Sequence, residues 1–311
     1  MSTTFSAMPA MDHGSTPCDL RAIGLTKRYE GFTLGGVSLD VPRGAVVGLI
    51  GQNGAGKTTL MKAILGTIHT DGGSVELLGQ DDAGLSDAEL IAVRGRVGFV
   101  SAVTAYPNVM TVSEVATMYR MAFPGFDQAT FEGLAERIGL LPASANKRVK
   151  DLSRGMGMKL QLACTLASGA DLVVMDEPTA GLDPIVREEV LDIVRAWMED
   201  ESHSALISSH ITTDLEKIAD YLVFIENGRV ILACGRDTVD QMGVAHLRTA
   251  ELERVLGEAN GPGTLRVLHQ DLSWALLVPD RAAFSRAYPD YVCDRASIDD
   301  VMVLLVKGEV R

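Results

Sequence analysis

The chain has 311 residues and a formal charge of −13, from 28 Lys and Arg against 41 Asp and Glu, and it is 47% hydrophobic but only 5% aromatic. The apolar fraction excludes a wholly disordered chain, and the acidic balance excludes a broad nucleic-acid-binding surface, which needs a basic footprint. One anionic ligand held by local donors remains compatible with that charge.

In chain order, Met1 to about Asp19 carries Ser, Thr, Pro, Gly and Met without periodicity and is expected to be a flexible tail. It has no basic start and no apolar run, so no secretory signal is expected. From about Leu20 to Asp237, short apolar runs alternate with helical patterns, which predicts a mostly parallel α/β sheet. Ala45–Ile50 reads as a buried strand feeding a glycine-rich loop. Leu172–Met175 is a second such run, ending on Asp176, and Ser204–Ile207 a third, ending near His210. Ligands of parallel sheets sit at the carboxyl ends of strands, and all three of these ends carry reactive residue types.

Between the first and second of these strands, Leu85 to Ala167 looks mainly helical and is too long for a simple crossover, so an inserted helical subdomain is expected. Asp183-Pro184 starts a helix, with Asp as its cap and Pro in the first turn. Ile185, Val186, Val190, Ile193, Val194 and Trp197 give that helix one apolar face. Tyr221–Ile225 and Arg229–Ala233 flank Asn227-Gly228, a two-residue hairpin signal. After about Thr238, a break at Gly261-Pro262-Gly263 precedes two alternating runs, Thr264–Leu268 and Ser273–Val278. A last helix begins at Ser297 with a capping box to Asp300 and buries Ile298, Val301, Met302 and Leu305. This end reads as a small α+β module, residues 238–311.

No run is long and apolar enough to span a membrane; the longest uncharged stretch, Val97–Ser113, is broken by Gly98, Ser101, Thr104, Pro107, Asn108 and Thr111. Cys18, Cys164, Cys234 and Cys293 are widely spaced without a CxxC pair. They read as ordinary small residues of a cytosolic protein.

The strongest chemical signal is Gly51-Gln52-Asn53-Gly54-Ala55-Gly56-Lys57-Thr58-Thr59, which matches GxxxxGK[ST] between a strand and an amphipathic helix. Small residues let backbone N–H groups close round phosphate oxygens, and the helix N-terminus favours negative charge. Lys57 then reaches the terminal phosphates and Thr58 offers a hydroxyl to Mg²⁺. Asp176 and Glu177 close the second buried strand, where two carboxylates are costly without compensating charge. Mg²⁺ supplies it: Asp176 holds the metal, and Glu177 polarises the attacking water as general base.

Leu152-Ser153-Arg154-Gly155-Met156, shortly before the acidic strand, resembles the LSGGQ signature of the ATP-binding-cassette (ABC) family. Gly181-Leu182-Asp183 resembles that family's D-loop, Ser208-Ser209-His210 its switch histidine, and Tyr29 the aromatic that stacks on adenine. The resemblance spans about Leu20 to Asp237. It implies a P-loop NTPase fold of the ABC type, with ATP and Mg²⁺ as cofactors. It also implies head-to-tail pairing with a second cassette, identical or different. Ser153 and Gly155 then meet the γ-phosphate of the ATP on the other cassette, and His210 bridges that phosphate, the water and the Asp183 region across the interface. The closed pair would be opened by hydrolysis.

The resemblance further implies separate transmembrane permease subunits. They would dock on the helical insert, especially Tyr106 to Tyr119, at the cytoplasmic face of the membrane. The segments VGFVS…PNVMTVSE, SRGM and SIDDVMVLLVKGE resemble the bacterial type-2 exporter branch. Two departures stand out. Arg154 and Met156 replace a glycine and the glutamine of the signature, and Ala102 stands where the family has a Q-loop Gln or Glu. Ala102 cannot ligate a metal, so weaker Mg²⁺ coordination or coupling is expected, with hydrolysis retained through Glu177 and His210.

The alternative is a soluble ABC ATPase without a transport role. A translation-associated form would have two cassettes and a basic linker, and a chromosome ATPase a long coiled coil; this chain has neither. A non-hydrolysing regulatory module conflicts with Glu177 and His210.

Overall fold

The structure, a computed structural model, describes residues 17–81, 84–104, 106–258 and 265–310. The chain opens with β1 (Cys18–Tyr29), β2 (Phe32–Pro42), β3 (Val46–Ile50), α1 (Lys57–Ile64), β4 (Gly72–Leu77) and β5 (Gln80–Asp81). Next come α2 (Asp87–Arg94), β6 (Val97–Val100), α3 (Val112–Ala122), α4 (Gln128–Arg137) and α5 (Arg154–Leu166). β7 (Leu172–Asp176), α6 (Pro184–Trp197), β8 (Ser204–Ser209), α7 (Thr212–Ile218), β9 (Tyr221–Glu226) and β10 (Arg229–Gly235) complete the α/β part. The remainder is α8 (Arg236–Gln241), β11 (Gly243–Leu247), α9 (Thr249–Glu258), β12 (Arg266–Gln270), β13 (Ser273–Val278), α10 (Arg281–Ala287), β14 (Cys293–Arg295), α11 (Ile298–Lys307) and β15 (Glu309–Val310).

The main sheet has the order β10-β9-β3-β8-β7-β6, parallel from β9 to β6, with β10 antiparallel at its edge. Every residue of β3, β7 and β8 is buried, as expected for strands covered on both faces. Alternate side chains serve two cores. Val47, Leu49, Val174, Leu206 and Val223 pack with α1 and a second, antiparallel sheet of order β2-β1-β4-β5. Val46, Ile50, Val173, Met175, Ile207 and Phe224 pack on the other face with α5, α6 and α7. The sheet therefore points the carboxyl ends of β3, β7 and β8 to one edge of the molecule.

The module after β10 forms a sheet of order β14-β11-β13-β12-β15. Its β11-α9-β12-β13-α10-β14 succession is a split βαβ, ferredoxin-like arrangement. α9 and α10 cover one face through Leu252, Val255 and Phe284. α11 covers the other, and its Ile298, Val301, Leu304 and Leu305 join the core of the α/β part.

Several sequence expectations are corrected. Residues 1–16 of the expected tail lie outside the described residues, but Cys18 and Asp19 already belong to β1. Asp19 is buried and accepts a hydrogen bond from Ser204 Oγ at 2.7 Å. The stretch 85–167 is not all helical insert: β6 pairs in parallel with β7 and forms the edge of the main sheet. At four residues it is too short to show a period. The Gly261-Pro262-Gly263 break lies outside the described residues. In α11, Leu304 is buried where Met302 is only half-buried. Ile185 is 73% exposed; it lies in the first turn of α6, beyond the edge of the core. Among the described residues no helix is long and apolar enough to cross a membrane. None of the four cysteines is in a disulfide, and burial pushes the Cys164 and Cys234 thiols up, so both are inert core residues.

Candidate functional site

The site is assembled at the carboxyl ends of β3, β7 and β8. The loop after β3 turns tightly because Gly54 and Gly56 have φ of 86° and 111°. Gly51 is needed for another reason: a Cβ there would stand 2.5 Å from the Ile225 carbonyl oxygen. The loop closes on itself through Ala55 N–H to the Gln52 carbonyl at 3.1 Å. From the β9–β10 hairpin, Gly228 N–H donates to the Ala55 carbonyl at 2.8 Å. The Asn227-Gly228 turn legible in the sequence is therefore also a brace of the phosphate loop.

Lys57 opens α1 and is buried. Its Nζ donates to the Gly51 carbonyl at 2.7 Å and lies 3.2 Å from Glu177 Oε1. Thr58 Oγ1 donates to Asp176 Oδ2 at 2.7 Å, and Ser208 Oγ donates to Asp176 Oδ1 at 2.6 Å. Ser208 Oγ also accepts from Glu177 N–H at 3.0 Å. Glu177 has φ of 52°, in the left-handed region, where a non-glycine residue is strained. This turn carries its side chain out of the strand toward Lys57 and His210. His210 Nδ1 lies 2.5 Å from Glu177 Oε2, and His210 N–H donates to the same oxygen at 3.3 Å. The imidazole remains 44% exposed.

One ammonium, paired with Glu177, thus stands in a site that holds two largely buried carboxylates. The excess negative charge and the hard oxygen donors of Thr58 and Asp176 fit a Mg²⁺ ion. The described residues contain no cluster of three or more His, Cys, Asp or Glu able to hold a metal.

Tyr29 ends β1 and is 47% exposed, with Lys27 Nζ 5.6 Å from its ring centroid. An exposed, half-supported ring at this place is available for stacking. Its cross-strand neighbour Phe32 was not singled out from the sequence. Phe32 packs against the phosphate loop: a Cβ on Gly56 would meet its ring at 2.8 Å.

The signature and D-loop form a separate cluster. Ser153 caps α5, its Oγ accepting from Met156 N–H at 3.2 Å. Arg154 is exposed and lies over Gly181, where a Cβ would be 2.5 Å from its Nη1. Gly155 meets Val186 of α6, where a Cβ would be 2.8 Å from Cγ1. Leu152 and Met156 are half-buried against the core, and Leu182 is buried. Asp183 caps α6, its Oδ1 accepting from Ile185 and Val186 N–H at 3.1 Å each. Among the described residues no hydrogen bond or ion pair joins residues 152–156 to residues 51–59.

Ala102 follows β6 and offers no ligand. The neighbouring backbone is held instead by Gln161, buried on α5, whose Nε2 donates to the Ser101 carbonyl at 3.3 Å and whose Oε1 accepts from Ser101 N–H at 3.4 Å. A lone amide within the apolar run Leu160–Cys164 is the available signal for it.

With this geometry in hand, similarity to known proteins is specific. Residues 34–180 match the family described as ABC transporter. The chain is 33% identical over 215 residues to the lantibiotic transport ATP-binding protein SrtF of Streptococcus pyogenes, covering 68% of this chain and 89% of that protein. It is 36% identical over 228 residues to the Nod factor export ATP-binding protein I of Ralstonia nicotianae, covering 72% of this chain and 68% of that one. It is also 34% identical over 240 residues to the phosphonates import ATP-binding protein PhnC of Chromohalobacter salexigens, covering 73% and 88%. Among solved structures, an ATP-binding subunit of an ABC transporter superposes with a TM-score of 0.63 at 25% identity, covering 78% of this chain and 95% of that one. The dimeric cassette MJ0796 bound to ADP and Pi gives 0.63 at 20% identity, covering 70% and 98%, and supports the fold alone.

Proposed function

The chain belongs to the ATP-binding subunits of the ABC transporter family, and from that premise we propose that it binds and hydrolyses ATP to drive a separate membrane permease. One observation carries this reading: Lys57, Thr58, Asp176, Glu177, Ser208 and His210 meet at one sheet edge, joined by hydrogen bonds and by the Lys57–Glu177 ion pair. Lys57 and the loop N–H groups would bind the β- and γ-phosphates. Thr58 and Asp176 would hold Mg²⁺, which neutralises phosphate charge when bound. Glu177, oriented by His210 and freed from Lys57 when phosphate claims the ammonium, would take the proton of the attacking water.

The reading extends to a pair of cassettes. Ser153 and Gly155 would face the ATP of the second cassette, which explains why they lie apart from the phosphate loop of their own chain. We propose export as the direction, because relatives are named for Nod factor export and for daunorubicin and doxorubicin resistance. The segment from Tyr106 to Tyr119, a loop leading into α3, would receive the permease.

The deciding measurement is Glu177→Gln. Loss of the general base predicts a fall in ATP turnover of about 10²- to 10⁴-fold with ATP affinity retained. Undiminished turnover removes Glu177 from this role. Copurification with a multi-span membrane protein lacking a nucleotide fold tests the transport half. Recovery of the chain free of any membrane partner favours a soluble ATPase.

A further inference from the structure

α7 begins two residues after His210, so whatever holds α7 also holds the loop that carries the imidazole. The helix has only seven residues and would be marginal by itself. It is clamped from two sides. Toward α6, Asp214 is buried with Arg187 Nε at 3.8 Å, and Lys217 pairs with Glu188. Toward the C-terminal module, Glu216 Oε1 accepts the Ile298 N–H at 3.1 Å. That N–H is one of the unpaired donors in the first turn of α11; Ser297 and Asp300 satisfy others through the capping box. Thr212 Oγ1 also approaches Asp299 Oδ1 at 3.5 Å.

A second link runs beside the first. Arg236 Nη1 donates to the Glu216 carbonyl at 2.9 Å, its Nε donates to Asp240 at 3.0 Å, and Arg295 of β14 reaches the same Asp240 oxygen at 2.5 Å. Beneath these polar contacts, Leu215 and Ala219 share one core with Ile298, Val301, Leu304 and Leu305. The hydrogen bonds and ion pairs between module and α/β part therefore converge on α7 and the hairpin strand-end that follows it.

We infer that the C-terminal module sets the position of the switch-histidine helix, with Glu216 as the positioning residue. Glu216 meets α11 rather than Lys57, Asp176 or Glu177. It acts through α7 on His210, whose Nδ1 orients the Glu177 carboxylate. A change in the module, whether by a partner or by displacement of α11, would be felt as a change in turnover rather than in ATP binding. This rests on the hydrolytic reading above for its kinetic consequence but not for its structural one.

The test uses the full-length chain carrying Glu216→Ala, Glu216→Gln or Asp299→Ala. Losing one hydrogen bond that positions the base predicts a fall in kcat of about two- to tenfold for Glu216→Ala, with KM for ATP changed by less than about twofold. Glu216→Gln keeps an acceptor oxygen and restores kcat. Amide hydrogen exchange across residues 210–218 should rise in Glu216→Ala and Asp299→Ala and stay at the wild-type level in Glu216→Gln. A melting-temperature loss with kcat and exchange of 210–218 unchanged overturns the inference, leaving Glu216 a merely structural cap. Wild-type protein with no ATPase activity would count against the hydrolytic reading, and the exchange measurement would still decide this one.

Discussion

Lys57 Nζ lies 3.2 Å from Glu177 Oε1, while the other oxygen of the same carboxylate is held by His210 at 2.5 Å. The proposed phosphate ligand and the proposed general base therefore restrain each other. A phosphate entering the loop competes for Lys57 and releases one oxygen of Glu177. Lys57→Ala should weaken ATP binding by about 10- to 100-fold, the worth of a charge-assisted hydrogen bond. Equilibrium binding of a fluorescent ATP analogue measures it, and unchanged affinity would contradict the phosphate-loop assignment.

Ser208 ties the Asp176 carboxylate to the Glu177 backbone, donating to Asp176 Oδ1 and accepting from Glu177 N–H. Ser208→Ala takes the hydroxyl donor from a buried Asp176 oxygen and leaves the Glu177 N–H only the Ser208 carbonyl, at 3.2 Å. The expected cost is about 1–3 kcal/mol of stability. A higher Mg²⁺ concentration for half-maximal ATPase activity should accompany it, because Asp176 loses its orientation. A denaturant melt and a Mg²⁺ titration read the two effects separately.

Gly155 is required by its neighbour Val186. A Cβ there would meet Val186 Cγ1 at 2.8 Å, so Gly155→Ala should displace the signature from the D-loop helix at a cost of about 1–3 kcal/mol. Val186→Ala in the same chain should return most of that stability. If it does so without returning turnover, the glycine backbone also serves the second cassette's ATP. If the single variant is as stable as wild type, the contact has no consequence.

Asp240 joins Arg295 to Arg236, whose guanidinium in turn holds the Glu216 carbonyl of α7. Burial works against its charge, but hydrogen bonds from Arg295 and Arg236 outweigh burial and hold its carboxyl below the usual value. A depressed folded-state pKa gives stability that is present above the unfolded value, near 4, and lost as pH falls through the folded one. Melting temperature should therefore drop on acidification from about pH 5 to pH 3, and by less in Asp240→Asn than in wild type. Equal acid sensitivity in the two proteins would show that the Arg236–Asp240–Arg295 link adds nothing.

The features legible in the sequence are those written in short stretches of chain. The phosphate loop, the Asp183-Pro184 helix start, the Asn227-Gly228 hairpin and the Ser297–Asp300 capping box all depend on residues a few positions apart. Backbone sterics and nearest-turn hydrogen bonds fix them wherever they occur. Asp176, Glu177 and His210 were legible because each ends a buried parallel strand. What tertiary structure alone decided spans long separations. Ser208 reaches Asp176 over 32 residues, Gln161 reaches Ser101 over 60, and Glu216 reaches Ile298 over 82. The antiparallel sheet β2-β1-β4-β5 and the edge strand β6 likewise depend on pairing with distant strands. Burial of Leu304 rather than Met302, and exposure of Ile185, were set by which neighbour covers each helix face. Periodicity states that a face exists, but only the packed neighbour determines where it begins and ends.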